Sequence, residues 1–480
     1  MKRIVIISLT LLFIALLMPT TAFAAEAGES LGLQLPVWSI IPFVGMLLSI
    51  ALIPLFKPEW WEKNLLFVAI FWSLVFLIPF AIGFGPKEAG YELIEIIALD
   101  YLPFIVLLWG LFAVAGGIAL RGSLAGSPKV NIILLLIGTF LASWIGTTGA
   151  SMLLIRPVLK ANKWRKRKTH VVVFFIFLVS NMGGCLTPVG DPPLFLGFLR
   201  GVPFFWTMKL APILIFNVVI LLVVFLIIDQ RLYKRELAAG NKPEVSTPNE
   251  KLSIAGGHNL IFIAMIVGAV ILSGSLDKFS FFFYQATGEA HGIPLFPGIV
   301  LPFNSILQML IIIAAGVLSV VTTKKDYRAL NEFTWGPIKE VGFLFVGIFI
   351  TMIPALAILH ARGADLGLES PWQFFWATGA LSSFLDNAPT YLVFMTTAGS
   401  LGEAGLATAV GSIAPQMLMA ISAGAVFMGA NTYIGNAPNF MVRSIAEENH
   451  VKMPSFFGYM LWSLCILIPV FIIDTFVFFI

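Results

Sequence analysis

The sequence predicts an all-α polytopic membrane protein built as an inverted repeat, with two re-entrant hairpins and two broken transmembrane helices. Three observations predict it. The 480 residues are 59% hydrophobic and 11% charged, whereas soluble proteins carry about 25% charged residues. Lipid is therefore the main solvent. Thr187-Pro-Val-Gly-Asp-Pro-Pro-Leu-Phe195 returns as Thr432-Tyr-Ile-Gly-Asn-Ala-Pro-Asn-Phe440, both fitting Thr-x-[Val/Ile]-Gly-[Asp/Asn]-x-Pro-x-Phe. The apolar runs also follow one order twice along the chain.

The start of the chain is expected to be an export signal over residues 1–24, with an uncleaved anchor helix as the alternative. Lys2-Arg3 give a positive start, Ile4 to Met18 an apolar core, and Ala22-Phe23-Ala24 a small-residue cleavage site. Spans of about 20 apolar residues follow, the first three near residues 36–56, 64–84 and 99–120. A long run over 130–160 holds Ser143-Trp-Ile-Gly-Thr-Thr-Gly-Ala-Ser151 at its centre. Arg121 and Lys129 precede it, and Lys160, Lys163, Arg165, Lys166, Arg167 and Lys168 follow it. Both flanks are therefore expected in the cytoplasm, and the run turns back as a hairpin. Residues 170–200 contain the first break, and 207–229 close the first half, 25–229.

A polar segment, 230–258, is expected inside by its basic residues. The second half, 259–480, repeats the order: spans near 259–275, 298–322 and 338–360, then a run over 372–399. Ser383-Phe-Leu-Asp-Asn-Ala-Pro-Thr390 sits at the centre of that run, with no basic cluster beside it, so its hairpin is expected on the outside. Residues 406–446 contain the second break and 456–480 the last span. Two units of opposite orientation are the inverted repeat expected of a carrier.

Each break places proline and glycine where an unbroken helix would run, so the backbone unwinds at depth. Unpaired backbone there is tolerable only where protein buries it or a polar cavity receives it. The oxygen-bearing residues at the tips and breaks are the candidate ion or substrate ligands. They are Thr147, Thr148, Asn181, Thr187 and Asp191 in the first half, and Asp386, Asn387, Thr390, Asn431, Thr432 and Asn436 in the second. Hard monovalent cations take such oxygens, while half-helix N-termini at the same breaks suit an anion. Asp191 and Asp386 stand out, because an ionisable group at mid-membrane is costly and usually functional. They are the expected sodium ligands. A carboxylate shielded from water holds a proton more readily, and a cation competing for that carboxylate gives exchange.

Plainer roles compete with these. Either aspartate could cap the half-helix that follows it, and Asn or Thr could merely satisfy freed backbone groups. Arg156 and Arg443 suit snorkelling to the surface, and Asp229 and Asp474 suit the interface at span ends. Cys185 and Cys465 fit no disulfide framework, and the five histidines, at 170, 258, 291, 360 and 450, form no metal-spaced pair. No cofactor is expected beyond sodium and protons as transported or coupling ions. The net charge of +4 lies in short loops, so nucleic acid is not an expected partner.

Phe384-Leu-Asp-Asn-Ala-Pro389 and Gly429-Ala-Asn-Thr-Tyr-Ile-Gly-Asn-Ala-Pro-Asn439 resemble the tip and break motifs of the ion-transporter superfamily. That group includes sodium/proton antiporters, arsenite permeases, and citrate and dicarboxylate carriers. Asn181-Met-Gly-Gly-Cys-Leu-Thr-Pro-Val-Gly-Asp-Pro-Pro193 is similar to the first-half counterpart. The resemblance implies a moving transport domain of two hairpins and two broken helices, in a homodimer of the cell (inner) membrane with an elevator-like stroke. Dicarboxylate carriers typically have Ser-Asn-Thr at both tips, whereas this chain has Gly146-Thr-Thr-Gly149 and Asp386-Asn-Ala-Pro389. Sodium/proton antiport through Asp191 and Asp386 is thus the leading expectation. The alternative is sodium-coupled symport of citrate or a related organic anion, with Arg156 or Arg443 facing the site. An intramembrane aspartyl protease is disfavoured because Pro188-Val-Gly190 precedes Asp191 in place of the Gly-x-Gly of those enzymes.

Overall fold

Helices carry the architecture of the computed structural model, which describes residues 31–122, 124–243, 253–276, 279–284 and 290–480. The expected signal segment, 1–24, and residues 244–252 of the polar segment lie outside the described residues. Among those described, nine helices are long and apolar enough to cross a membrane. The protein is a multi-pass, all-α membrane protein.

In the first half, α1 (Ile41–Phe56) and α2 (Pro58–Phe84) lead to α3 (Pro86–Glu95), which continues through a π turn at Ile96–Tyr101 into α4 (Leu102–Ala115). The first hairpin is α5 (Pro128–Ile145), Gly146 and α6 (Thr147–Ala161). Ser127 starts α5 by accepting from the Val130 amide at 3.3 Å, with Pro128 in the first turn. The first broken helix is α7 (Thr169–Leu178), a 3₁₀ turn at Met182–Leu186, and α8 (Pro192–Leu199). Helix α9 (Ala211–Ala238) ends the half and carries residues 230–238 as helix.

The second half begins with α10 (Asn259–Ser273), α11 (Phe303–Thr322) and α12 (Gly336–Arg362). Its hairpin pairs α13 (Pro371–Ser382) with α14 (Asn387–Ser400), and Ser370 and Gln373 form a capping box at the start of α13. The second broken helix is α15 (Pro415–Met428), a 3₁₀ turn at Gly429–Asn431, and α16 (Ala437–Glu448). Helix α17 (Phe456–Asp474) follows and runs into a π turn at Thr475–Phe479.

Among the described residues, three antiparallel ribbons punctuate the loops: Ala119–Arg121 with Ser253–Ala255, Gly292–Phe296 with Ile299–Pro302, and Leu406–Thr408 with Gly411–Ile413. The third replaces the start of the apolar run expected from residue 406, so that helix begins at Pro415.

Three of the four hairpin helices are too short to cross the bilayer alone, although α10, with 15 residues, is as short as α6. At about 1.5 Å per residue, α6, α13 and α14, with 15, 12 and 14 residues, fall short of the hydrocarbon core of about 30 Å. The 18 residues of α5 qualify as a span by length and composition.

Burial is inverted relative to a protein in water. On α9, Ile215, Val219, Val223 and Ile227 face outward, while Ile213, Asn217, Leu221, Phe225 and Asp229 form the buried stripe. Both stripes repeat every four residues, as two faces of one helix do. The apolar face meets lipid and the polar side chains turn inward. Helix α7 is buried on every side, His170 to Leu178, which places the first broken helix at the centre of the protein.

Candidate functional site

Two serine–threonine clamps hold each hairpin tip against its break. Thr187 Oγ1 donates to the Ser143 carbonyl; at the corresponding position Thr432 Oγ1 donates to the Ser383 carbonyl at 2.5 Å. Ser143 Oγ donates to Gly183 O at 2.5 Å and Ser383 Oγ to Met428 O at 3.1 Å. Each pair of partners is displaced along the chain by the same interval within the breaks and within the tips. The hydroxyls thus occupy backbone groups that the helix interruptions release.

Glycine allows the loops to close. A Cβ on Gly190 would lie 2.2 Å from Gly184 O, and one on Gly435 would lie 2.6 Å from Gly429 O. No larger residue fits either turn, which accounts for the shared Gly in both nine-residue copies.

Asp191 is the centre of the assembly. It stands at the N-cap position of α8, yet its side chain makes no capping bond. The carboxylate instead receives Thr147 Oγ1 at 2.9 Å, Asn387 Nδ2 at 2.6 Å and Asn436 Nδ2 at 3.3 Å. Thr147 and Asn387 are the first residues of α6 and α14, so both hairpin tips reach the same carboxylate. Asn436 is the second-half counterpart of Asp191, and it too makes no capping bond on its own helix. All three donors are neutral, and Asp191 is 1% exposed.

The remaining predicted residues sort by contact. Asn181, fully buried, donates to Ile176 O at 2.8 Å and to Asn439 Oδ1 at 2.7 Å, and accepts from Asn436 at 3.3 Å. Asn431 donates to Ser383 Oγ at 2.9 Å. Asn431 Oδ1 and Asn387 Oδ1 are buried without a donor among the described residues. Thr187 and Thr432 are the clamps. Thr390 bonds back to Asp386 O at 2.9 Å within its own helix, and Thr148 is half-buried without a bond to Asp191.

Asp386 behaves differently from Asp191. It is half-buried, and its Oδ1 accepts from the Ala388 amide at 3.1 Å as the cap of α14. No hydrogen bond joins it to Asp191. The two aspartates are not an equivalent pair: one caps, and the other gathers donors from both halves. Among the described residues, no group of three His, Cys, Asp or Glu side chains could hold a metal ion.

Asn439, Ser143 and Ser383 belong to this assembly although they were not singled out as ligands. Asn439 Nδ2 closes the second break by donating to Gly429 O at 2.8 Å and Thr432 O at 2.9 Å. The signal that finds the serines is a shared Ser-aromatic-aliphatic start of the two tips, Ser143-Trp-Ile and Ser383-Phe-Leu. For Asn439 there was none, because its first-half counterpart is Leu194.

A family model described as "Putative citrate transport" matches residues 32–479. The chain belongs to that citrate-transport family. A search of the curated proteins found no match. This membership makes the protein a secondary transporter, and a multi-pass chain with two polar breaks meeting at one buried carboxylate is a suitable frame for one.

The arginines considered for an anion do not reach Asp191 in this family member. Arg156 pairs with Glu332 at 2.7 Å. Arg443 pairs with Glu447 at 3.0 Å and lies 4.6 Å from the Tyr433 ring centre. The interfacial placement expected for Asp229 and Asp474 is corrected: both are 0% exposed. Asp229 is bound by Arg165, by His170 at 2.7 Å and by Asn131 at 3.1 Å. Asp474 is bound by Asn217 at 3.0 and 2.9 Å. Helical position alone put them near span ends, whereas the inward stripe of α9 draws such groups to the interior.

Proposed function

We propose that this transporter exchanges a monovalent cation, sodium foremost, for a proton at Asp191. The observation that carries the reading is a buried carboxylate whose three hydrogen-bond donors are all neutral. Such a charge is unstable away from water unless a proton or a cation offsets it. The two cannot occupy it together at full strength, so one displaces the other. Asn387 Oδ1 and Asn431 Oδ1, buried without donors, are further oxygens of the kind a hard cation takes. Asp386 serves chiefly to start α14 in this reading. We place the protein in the cell membrane as a homodimer with an elevator-like stroke, in keeping with the resemblance of its tip and break motifs.

A second reading is favoured by the family description: cation-coupled carriage of citrate or a related organic anion. In that case the cation at Asp191 would offset the carboxylate before the anion approaches, and Arg156 or Arg443 would have to leave its present partner. Purified protein in vesicles separates the two, with a pH-sensitive dye inside and sodium, lithium, potassium or citrate added outside. A dye response to sodium without citrate supports exchange. Citrate accumulation that requires a sodium gradient, with no dye response to sodium alone, replaces that reading with the second.

A further inference from the structure

The same repeat position carries an aspartate in both halves: Asp229 on α9 and Asp474 on α17 are displaced by the interval that relates Thr187 to Thr432. Their surroundings differ. Asp229 is neutralised by Arg165, with His170 and Asn131 completing its shell. Asp474, equally buried at 0% exposure, has among the described residues only the amide of Asn217 across the α9–α17 seam. One N–H group shared by two carboxylate oxygens does not offset a whole charge.

Among the described residues, the elements packed against this position supply no cation. Helix α17 has no charged residue besides Asp474, α13 has none, and neither does the turn at Gly429–Asn431. On α9 the first charged residue is Asp229, three turns further along. We propose that Asp474 is a second proton-binding carboxyl of this protein, held in the α9–α17 seam and separate from Asp191. A proton removes the charge. It also finds an acceptor, because Asn217 Oδ1 is buried with no donor and the amide can turn over to present it. A metal ion is a poorer occupant: hard cations take about six oxygens, and the two side chains offer three. The inference goes beyond the reading of Asp191 and does not depend on it.

Infrared difference spectra of the full-length protein in lipid nanodiscs, recorded between alkaline and acidic pH, test it. The parent is Asp191→Asn, so the central carboxyl contributes nothing. The proposal expects a protonated-carboxyl band in the parent that disappears when Asp474→Asn is added. It also expects Asn217→Ala to shift the frequency of that band, since the acid loses its hydrogen-bond partner. This second variant keeps the test decisive should the double variant misfold. Identical spectra for the parent and either further variant would overturn the proposal. Loss of exchange in the parent with the Asp474 band retained would leave the proposal standing and bear on Asp191 alone.

Discussion

Asn387 donates to Asp191 at 2.6 Å although 196 residues separate them in the chain. The contact joins the second hairpin tip to the first break. Thr147 joins the first tip to the same carboxylate at 2.9 Å. A single side chain therefore senses the position of both hairpins. Cation arrival at Asp191 would alter contacts to α6, α14 and α16 together, which suits a step that must be shared by the whole site.

Replacing Asp191 by Asn should abolish sodium-dependent proton movement while leaving the protein folded. The dye assay in vesicles should fall at least about tenfold, to the level of empty vesicles, with each tenfold worth about 1.4 kcal/mol. Thermal unfolding of the purified variant should remain cooperative. Full exchange in the variant would remove Asp191 from the mechanism.

Asp386 provides the contrast. Its cap on α14 predicts that Asp386→Ala costs about 1 kcal/mol of stability, while Asp386→Ser, which can still cap, costs less. Neither should abolish exchange. If Asp386→Ser eliminates exchange as completely as Asp191→Asn does, the carboxylate itself acts in transport and the capping account is insufficient.

The unpartnered oxygens give a prediction about affinity. Asn387→Ala removes an oxygen and a donor to Asp191, and Asn431→Ala removes the other free oxygen. Each should raise the sodium concentration for half-maximal dye response by about tenfold, or about 1.4 kcal/mol. Unchanged half-saturation in both variants would exclude these oxygens from the cation's shell.

The clamps should act on stability. Thr432→Val keeps the shape of the side chain but leaves the Ser383 carbonyl without its hydroxyl donor. Loss of a buried partner costs about 1–3 kcal/mol, read as a lower unfolding temperature in detergent. Thr187→Val should behave alike, since it makes the same bond to Ser143. A large loss in one and none in the other would break the equivalence of the two halves at this point.

At the buried Arg165–Asp229 pair, removing one partner should be worse than removing both. Asp229→Asn strands the guanidinium and should cost about 3–5 kcal/mol. Adding Arg165→Met should recover much of that loss. Double-variant stability below that of Asp229→Asn alone would show that Arg165 contributes through more than the pair.

Much of this architecture was legible because lipid imposes a simple code. Continuous apolar runs marked the spans, and Pro188, Gly190 and Pro192 marked an interruption that no lipid-exposed helix tolerates. Three things escaped. The ribbon at Leu406–Ile413 looked like helix because its residues are apolar and β propensity is weak in short segments. The burial of Asp229 and Asp474 depended on which face of α9 and α17 turns inward, a packing decision beyond local sequence. The difference between Asp191 and Asp386 lay in side-chain direction: both precede a half-helix and both can cap, but the two asparagines that draw Asp191 away come from the other half of the chain.

The most direct test of competition at Asp191 uses purified protein in nanodiscs in weakly buffered solution near neutral pH. Sodium is added and released protons are counted with a soluble indicator. The account predicts proton release that saturates with sodium in the wild type and vanishes in Asp191→Asn. Equal release from both proteins would contradict it.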